Sequence, residues 1–174
     1  GLGRRGSGFR RGIGPGGGAM SDEFAPDWLA LREPYDRAAR SRALAVAFLD
    51  ALPDQPRLVD VGAGTGSNAR FLSESTDKAI AWQFVDQDAG LLDRISGVEG
   101  KKVCIDFAPS PARIDLSQCD GVTASAFFDL VSEDWFARFV AHVSGQPLLL
   151  TLNVDGGFVW QPGDEADRLL MGRF

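Results

Sequence analysis

The sequence predicts an α/β domain built on a doubly wound, mostly parallel sheet, and three observations predict it. Short apolar runs alternate with stretches of helical periodicity through the middle of the chain, the pattern of strands crossed over by helices. The first apolar run, Leu58–Val61, opens directly onto a glycine turn, Gly62-Ala63-Gly64-Thr65-Gly66. The second ends in an acid, Asp86, placed 20 residues after Gly66. Sheets of this kind bind ligands beyond the carboxyl ends of their strands, where the strand order reverses. The residues directly after each strand are therefore the functional candidates.

The elements follow in order. Asp27 precedes a short helix carrying Trp28, Leu29 and Leu31, interrupted at Pro34. An alanine-rich helix over Tyr35–Leu52 sets Ala39, Leu44, Ala47 and Phe48 at helical spacing and ends at Pro53. After the strand at Leu58–Val61 and its glycine turn, Ser67–Ser75 resumes as a helix with Phe71 and Leu72 inward. Ala79–Val85 is a second strand, Ala89–Ile95 a helix with Asp88 as its N-cap, and Val103–Ile105 a third strand. Ile114–Gln118 is short or irregular, and Val122–Ala124 begins a fourth strand. A strongly amphipathic helix then repeats Trp135, Phe136, Phe139, Val140 and Val143 on one face, and Leu148–Leu152 is a fifth strand.

Composition narrows the function classes. A chain of 174 residues, 44% hydrophobic and 24% charged, suits one folded domain. No apolar run reaches the roughly 20 residues of a membrane-spanning helix, so a soluble, cytoplasmic protein is expected. The first 19 residues hold four arginines and no acid, leaving 14 basic against 24 acidic residues in the rest. So acidic a body repels a polyanion, which makes a nucleic-acid partner unexpected. The tail itself, rich in glycine and arginine, has the composition of an RNA-binding segment, but translated upstream sequence before a start at Met20 is the favoured reading. Residues 1–24 are expected to be disordered and residues 25–174 to form the domain. Cys104 and Cys119 are too few for a disulfide framework and read as reduced, buried thiols. His142, the only histidine, has no partner at metal-ligand spacing and reads as a packing or surface residue; no metal site is expected.

The glycine turn carries the chemistry. Glycines at alternate positions let the backbone turn sharply and approach a ligand closely, and the helix that follows offers unpaired N–H groups to an anion. A dinucleotide fingerprint, GxGxxG, requires glycine at position 67, where this chain has Ser67. Asp86 is placed to accept hydrogen bonds from both hydroxyls of a ribose. The segments LVDVGAGTGSNARFL and WQFVDQDAGLL together resemble the first two motifs of class I S-adenosylmethionine-dependent methyltransferases, over roughly Trp28 to Asp164. The resemblance implies the Rossmann-like fold of that family and S-adenosyl-L-methionine as cofactor. It implies that Gly62, Ala63, Gly64 and Gly66 form the cofactor loop and that Asp60 organises it or reaches the cofactor's amino group through water. It further implies that Asp86 holds the ribose, that Gln87 flanks the adenine, and that Asp106 and Phe107 contact the adenine amino group and ring. Thr123 and Ala124 would lie beside the sulfonium and the adenosine, and Arg32 would pair with the cofactor carboxylate. Relatives generally finish with two further strands. Gly156–Phe174 offers only a short helix over Asp164–Met171, so the fold is expected to stop before them.

Methyl transfer from a sulfonium is an in-line displacement that mainly demands alignment and, for some acceptors, a base. Asp129, after the fourth strand, is the candidate base, with a helix-capping role equally open. The Asn/Asp-Pro-Pro-aromatic motif of many amine- and amide-methylating relatives is replaced by Thr123-Ala-Ser-Ala-Phe127. That departure and the acidic charge point to a small-molecule acceptor. Trp160 is open between lining an acceptor pocket and packing. Two other classes stay in view: a nucleotide-linked oxidoreductase of Rossmann type, and a non-catalytic cofactor-binding domain.

Overall fold

A computed structural model describes residues 26–152. The Gly/Arg-rich tail, Trp160, the helix expected over Asp164–Met171 and the expected lack of final strands lie outside the described residues. Within them a five-stranded sheet runs in the order β3-β2-β1-β4-β5, and every pairing is parallel. The strands are β1 (Arg57–Val61), β2 (Ala81–Asp86), β3 (Gly100–Cys104), β4 (Gly121–Ser125) and β5 (Leu148–Thr151). The helices are α1 (Pro26–Ala39), α2 (Arg42–Asp50), α3 (Ser67–Ser73), α4 (Ala89–Asp93) and α5 (Glu133–His142). This is the doubly wound α/β architecture that the alternation of elements predicts, and its strand order reverses between β1 and β4.

Side chains along a strand alternate between the two faces, and β1 shows what that does here. Leu58 joins Phe48, Leu49, Phe71, Leu72 and Phe84 in a core between the sheet and α2, α3 and α4. Val59 and Val61 join Ile114, Val122, Ala124, Trp135 and Phe139 in a second core on the other face. Burial of a large apolar side chain stabilises by about 1.5–3 kcal/mol, so residues such as Phe84 and Phe139, both fully buried, anchor the two layers. By the same alternation Asp60 shares the face of Leu58, toward α3, and lies in register with Thr123 of β4.

Several local expectations change. The helix predicted from Tyr35 to Leu52 is two helices. Pro34 lies inside α1, and the break falls at Ser41, whose side chain accepts a hydrogen bond from the Leu44 N–H and caps α2. That start rotates α2 so that Ala45, Phe48 and Leu49 are buried while Leu44 is 63% exposed. On α5 Trp135, Phe139 and Val143 face the core, but Val140 is 47% exposed. β3 begins earlier than expected, at Gly100, because Gly100 to Cys104 pair residue by residue with Trp82 to Asp86. The cysteines are free but not buried: Cys104 is exposed and Cys119 half-buried. The side chain of His142 packs inward, its Nε2 2.8 Å from the Ile114 carbonyl oxygen. No helix among the described residues is long and apolar enough to cross a membrane, and no group of three or more His, Cys, Asp or Glu there could hold a metal ion.

Candidate functional site

The carboxyl ends of β1, β2 and β4 open into one cavity of about 1010 Å³, roofed by α1. Its size is at the upper end of small-molecule sites. Of the residues predicted from sequence, Gly62, Ala63, Gly64, Asp86, Gln87, Asp106, Phe107, Asp129 and Arg32 all line it. Segments far apart in the chain thus converge on one volume.

The glycine turn is held from below. The N–H groups of Gly62 and Ala63 both donate to the Val85 carbonyl oxygen, at 2.9 and 3.2 Å, which ties the loop to the end of β2. Gly62 has φ +66°, and a Cβ there would stand 2.8 Å from Cδ2 of Phe127. Only glycine meets both demands, the left-handed backbone and the close approach of an aromatic ring. Asp86 closes the same knot: its Oδ2 accepts from the Gly64 N–H at 2.8 Å and its Oδ1 from the Asp88 N–H at 3.0 Å. It is 8% exposed and keeps lone pairs toward the cavity. Asp88 is the N-cap of α4, accepting from the N–H groups of Gly90 and Leu91, so Asp86 is left out of helix capping.

Asp106 is exposed at the rim, where its Oδ1 accepts from the Ala108 N–H and Arg113 stands 3.8 Å away. Phe107 is buried, and its carbonyl oxygen accepts from the Trp135 indole N–H at 3.1 Å. Asp129 belongs to a single 3-10 turn, Phe128–Leu130. The cap of α5 is Ser132, whose hydroxyl accepts from the Trp135 N–H; Asp129 has no capping duty there.

Four predicted residues do not line the cavity: Asp60, Gly66, Thr123 and Ala124. Thr123 and Ala124 are 1% and 0% exposed within β4. Gly66, with φ +81°, starts α3 and lies against Ile95 and Arg70. Asp60 is buried beneath the cavity floor. Its Oδ1 accepts from Nδ2 of Asn68 at 2.9 Å, and the same amide nitrogen donates to Oγ1 of Thr123 at 2.9 Å. Its Oδ2 is buried with no hydrogen-bond partner. Burial raises the Asp60 carboxyl to about 7, against the opposing pull of the Asn68 hydrogen bond and the Arg40 charge.

Arg40 is the functional candidate that sequence reading misses. It follows α1, lines the cavity, and donates from its two terminal nitrogens to the Ser67 carbonyl oxygen, the Ser67 hydroxyl and the Ser125 hydroxyl. Those acceptors are neutral. Among the described residues no carboxylate lies within ion-pair distance of Arg40, and its Nε is buried without a partner. Burial pulls the guanidinium below its ordinary range, while the more distant charges of Asp36, Asp60 and Glu33 act the other way. Arg32 differs: it also lines the cavity, but its guanidinium is paired with Asp36 at 3.0 Å and lies over the Trp28 ring. No local motif marks Arg40; only the meeting of α1, α3 and β4 does. Strain marks the end of β4 as well, where Ala126 has φ +53° while its N–H donates to the Thr151 carbonyl oxygen.

No protein-family model matches the sequence, and no curated protein matches it. Solved structures do match. A TehB-like SAM-dependent methyltransferase from Corynebacterium glutamicum ATCC 13032 Kitasato is 18% identical, with a TM-score of 0.52, over 85% of this chain and 80% of that one. Magnesium protoporphyrin IX methyltransferase (ChlM) from Synechocystis PCC 6803, solved with bound SAM, is 14% identical, with a TM-score of 0.51, over 83% of this chain and 68% of that one. A SAM dependent methyltransferase from Archaeoglobus fulgidus is 18% identical over 68% of this chain, with a TM-score of 0.47. The chain spans 53% of that protein's length. At these identities the likeness is one of fold: this chain has the Rossmann-like fold of SAM-dependent methyltransferases.

Proposed function

We propose that the chain binds S-adenosyl-L-methionine and transfers its methyl group to a small-molecule acceptor by in-line displacement. The observation that carries the reading is a pair of polar groups, one lining the cavity and one buried beneath its floor. Arg40 is a guanidinium at the cavity with neutral acceptors only, and Asp60 is a buried carboxyl with one oxygen unpartnered. Buried charge without a partner is costly. The zwitterionic end of an amino-acid-bearing cofactor offers a carboxylate to Arg40 and an ammonium to the side of Asp60, directly or through water. In this reading Arg40, rather than Arg32, is the carboxylate partner. The cavity also has room for an acceptor beside a cofactor of that size.

When bound, the cofactor supplies an electrophilic methyl on a sulfonium. The residues of the chain do the rest. Gly62, Ala63 and Gly64 form the bed of the methionine portion, and Asp86 accepts from the ribose hydroxyls. Gln87, Asp106 and Phe107 bound the adenine. Asp129, at the rim after β4 and without a capping role, takes a proton from an acceptor that carries one. Trp28, Leu29 and Arg32 on α1 cover the site and exclude water, which strengthens its electrostatics. Ser67 favours this cofactor over a dinucleotide: its hydroxyl and carbonyl both hold Arg40, at the position where the dinucleotide fingerprint has glycine.

Calorimetric titration with S-adenosylhomocysteine and, separately, NADH tests the reading. Binding of the first in the micromolar range is expected, weakened about 100-fold in Asp86→Ala and about tenfold or more in Arg40→Gln, as befits lost hydrogen bonds to polar and charged groups. Binding of NADH alone overturns it in favour of an oxidoreductase.

A further inference from the structure

The helix that roofs the cavity is attached in an unusual way. None of the described side chains of α1 is fully buried, and none belongs to either hydrophobic core. Leu29, Arg32 and Asp36 face the cavity, while Glu33 and Arg37, one turn apart on its flank, reach α3. There they meet Arg70 and Glu74, also one turn apart: Glu33 pairs with Arg70 at 2.6 Å, and Arg37 pairs with Glu74. The order of charges is reversed between the two helices. Sliding α1 by one turn would set Glu33 against Glu74 or Arg37 against Arg70, so like-charge repulsion fixes the register.

Arg70 does more than close this pair. Its Nε and terminal nitrogen grip both oxygens of Glu33, at 2.8 and 2.6 Å, in a bidentate fork. The other terminal nitrogen donates to the carbonyl oxygens of Thr65, in the glycine turn, and Ser96, after α4, at 2.8 and 2.9 Å. Gly66 lies beside it with φ +81°, and a Cβ there would stand 3.0 Å from Ile95. One guanidinium thus joins the roof to the bed of the cavity. The second pair is more open to water, with side chains 37% and 48% exposed against 19% and 23% for Arg70 and Glu33.

We infer that Arg70 is a positioning residue, the clasp that holds α1 as a lid over the ligand lying on the glycine turn. The inference rests on the cofactor reading above. A helix that adds no fully buried side chain to the core opens locally at lower cost than the sheet, so the clasp governs how long the cofactor stays and leaves the fold to the sheet. The pair Arg37–Glu74 is too exposed to share the task.

The test compares Glu33→Gln, Glu74→Gln and the conservative Glu33→Asp with the wild-type chain. Amide hydrogen exchange over residues 26–39 is read without ligand, and the dissociation rate of S-adenosylhomocysteine by stopped flow. Glu33→Gln is expected to speed both about tenfold, as loss of a charge-assisted fork implies, with protection of the β1, β2 and β4 amides unchanged. Glu74→Gln is expected to change neither by more than about twofold. Glu33→Asp, which keeps the carboxylate, restores slow exchange in α1 at least in part, which a merely structural loss does not. Unchanged exchange over residues 26–39 in Glu33→Gln overturns the clasp whatever binds. If that exchange quickens but ligand release does not, the lid role is overturned. Absence of any S-adenosylhomocysteine binding to the wild-type chain instead refutes the cofactor reading, and with it the lid.

Discussion

Two aspartates stand at the carboxyl-terminal ends of neighbouring strands, Asp86 as the last residue of β2 and Asp60 one residue before the end of β1, and they live in opposite circumstances. Asp86, at the end of β2, accepts from two backbone N–H groups, those of Gly64 and Asp88. Asp60, in β1, accepts only from the Asn68 amide and keeps its other oxygen buried and unpartnered. Backbone donors are fixed once the chain has turned, so Asp86 is a finished part of the loop that also lines the cavity. Asp60 is an unfinished one, whose carboxyl is raised to about 7 by burial. The difference teaches that a carboxylate at a strand end can build a site in two ways, by bracing the loop or by waiting for a partner.

The largest expected effect separates the two by pH. Asp60 in the folded chain binds its proton more tightly than in the unfolded chain, where its value is near 3.8. Folding therefore takes up a proton between those values. The contribution is full below about pH 4 and is lost as pH rises to about 7, amounting to roughly 4 kcal/mol at 1.36 kcal/mol per unit. Urea melts at pH 5 and pH 8 should show that slope in the wild type and a flatter one in Asp60→Asn. An equal slope in both refutes the assignment.

Next in size, Asp86→Ala strands the Gly64 and Asp88 N–H groups. A loss of about 2–3 kcal/mol is expected at pH 7, with most of the pH slope kept, because burial outweighs the Asp86 charge in raising Asp60. Smaller again, Thr123→Val leaves the Asn68 amide with Asp60 as its single acceptor. That should cost about 1–2 kcal/mol, measured by the same melts. The least effect belongs to Ala126→Gly. A glycine usually loosens a chain, but at φ +53° it also relieves about 1 kcal/mol of left-handed strain. Net stability should change by less than about 1 kcal/mol, and a larger loss would show that the Ala126 methyl packs against the cavity wall.

The sequence by itself determined the strand-and-helix alternation, the glycine turn, Asp86 and the Asp88 cap, because each depends on neighbours close along the chain. Period-two and helical patterns mark what must be buried, and a turn that needs a positive φ calls for glycine wherever it occurs. Helix boundaries near Pro34 and Ser41 were less legible, since a cap at Ser41 outweighed the break that proline suggests. The tertiary structure alone decided that Asp60 and Thr123 lie beneath the cavity floor, that Arg40 lines the cavity on neutral acceptors while Arg32 is paired with Asp36, and that Arg70 joins α1 to the loop. Those facts depend on strand order and helix placement. The strands β1 and β4 become neighbours only when the sheet forms, and the field that shifts Asp60 exists only once water has been driven from between them.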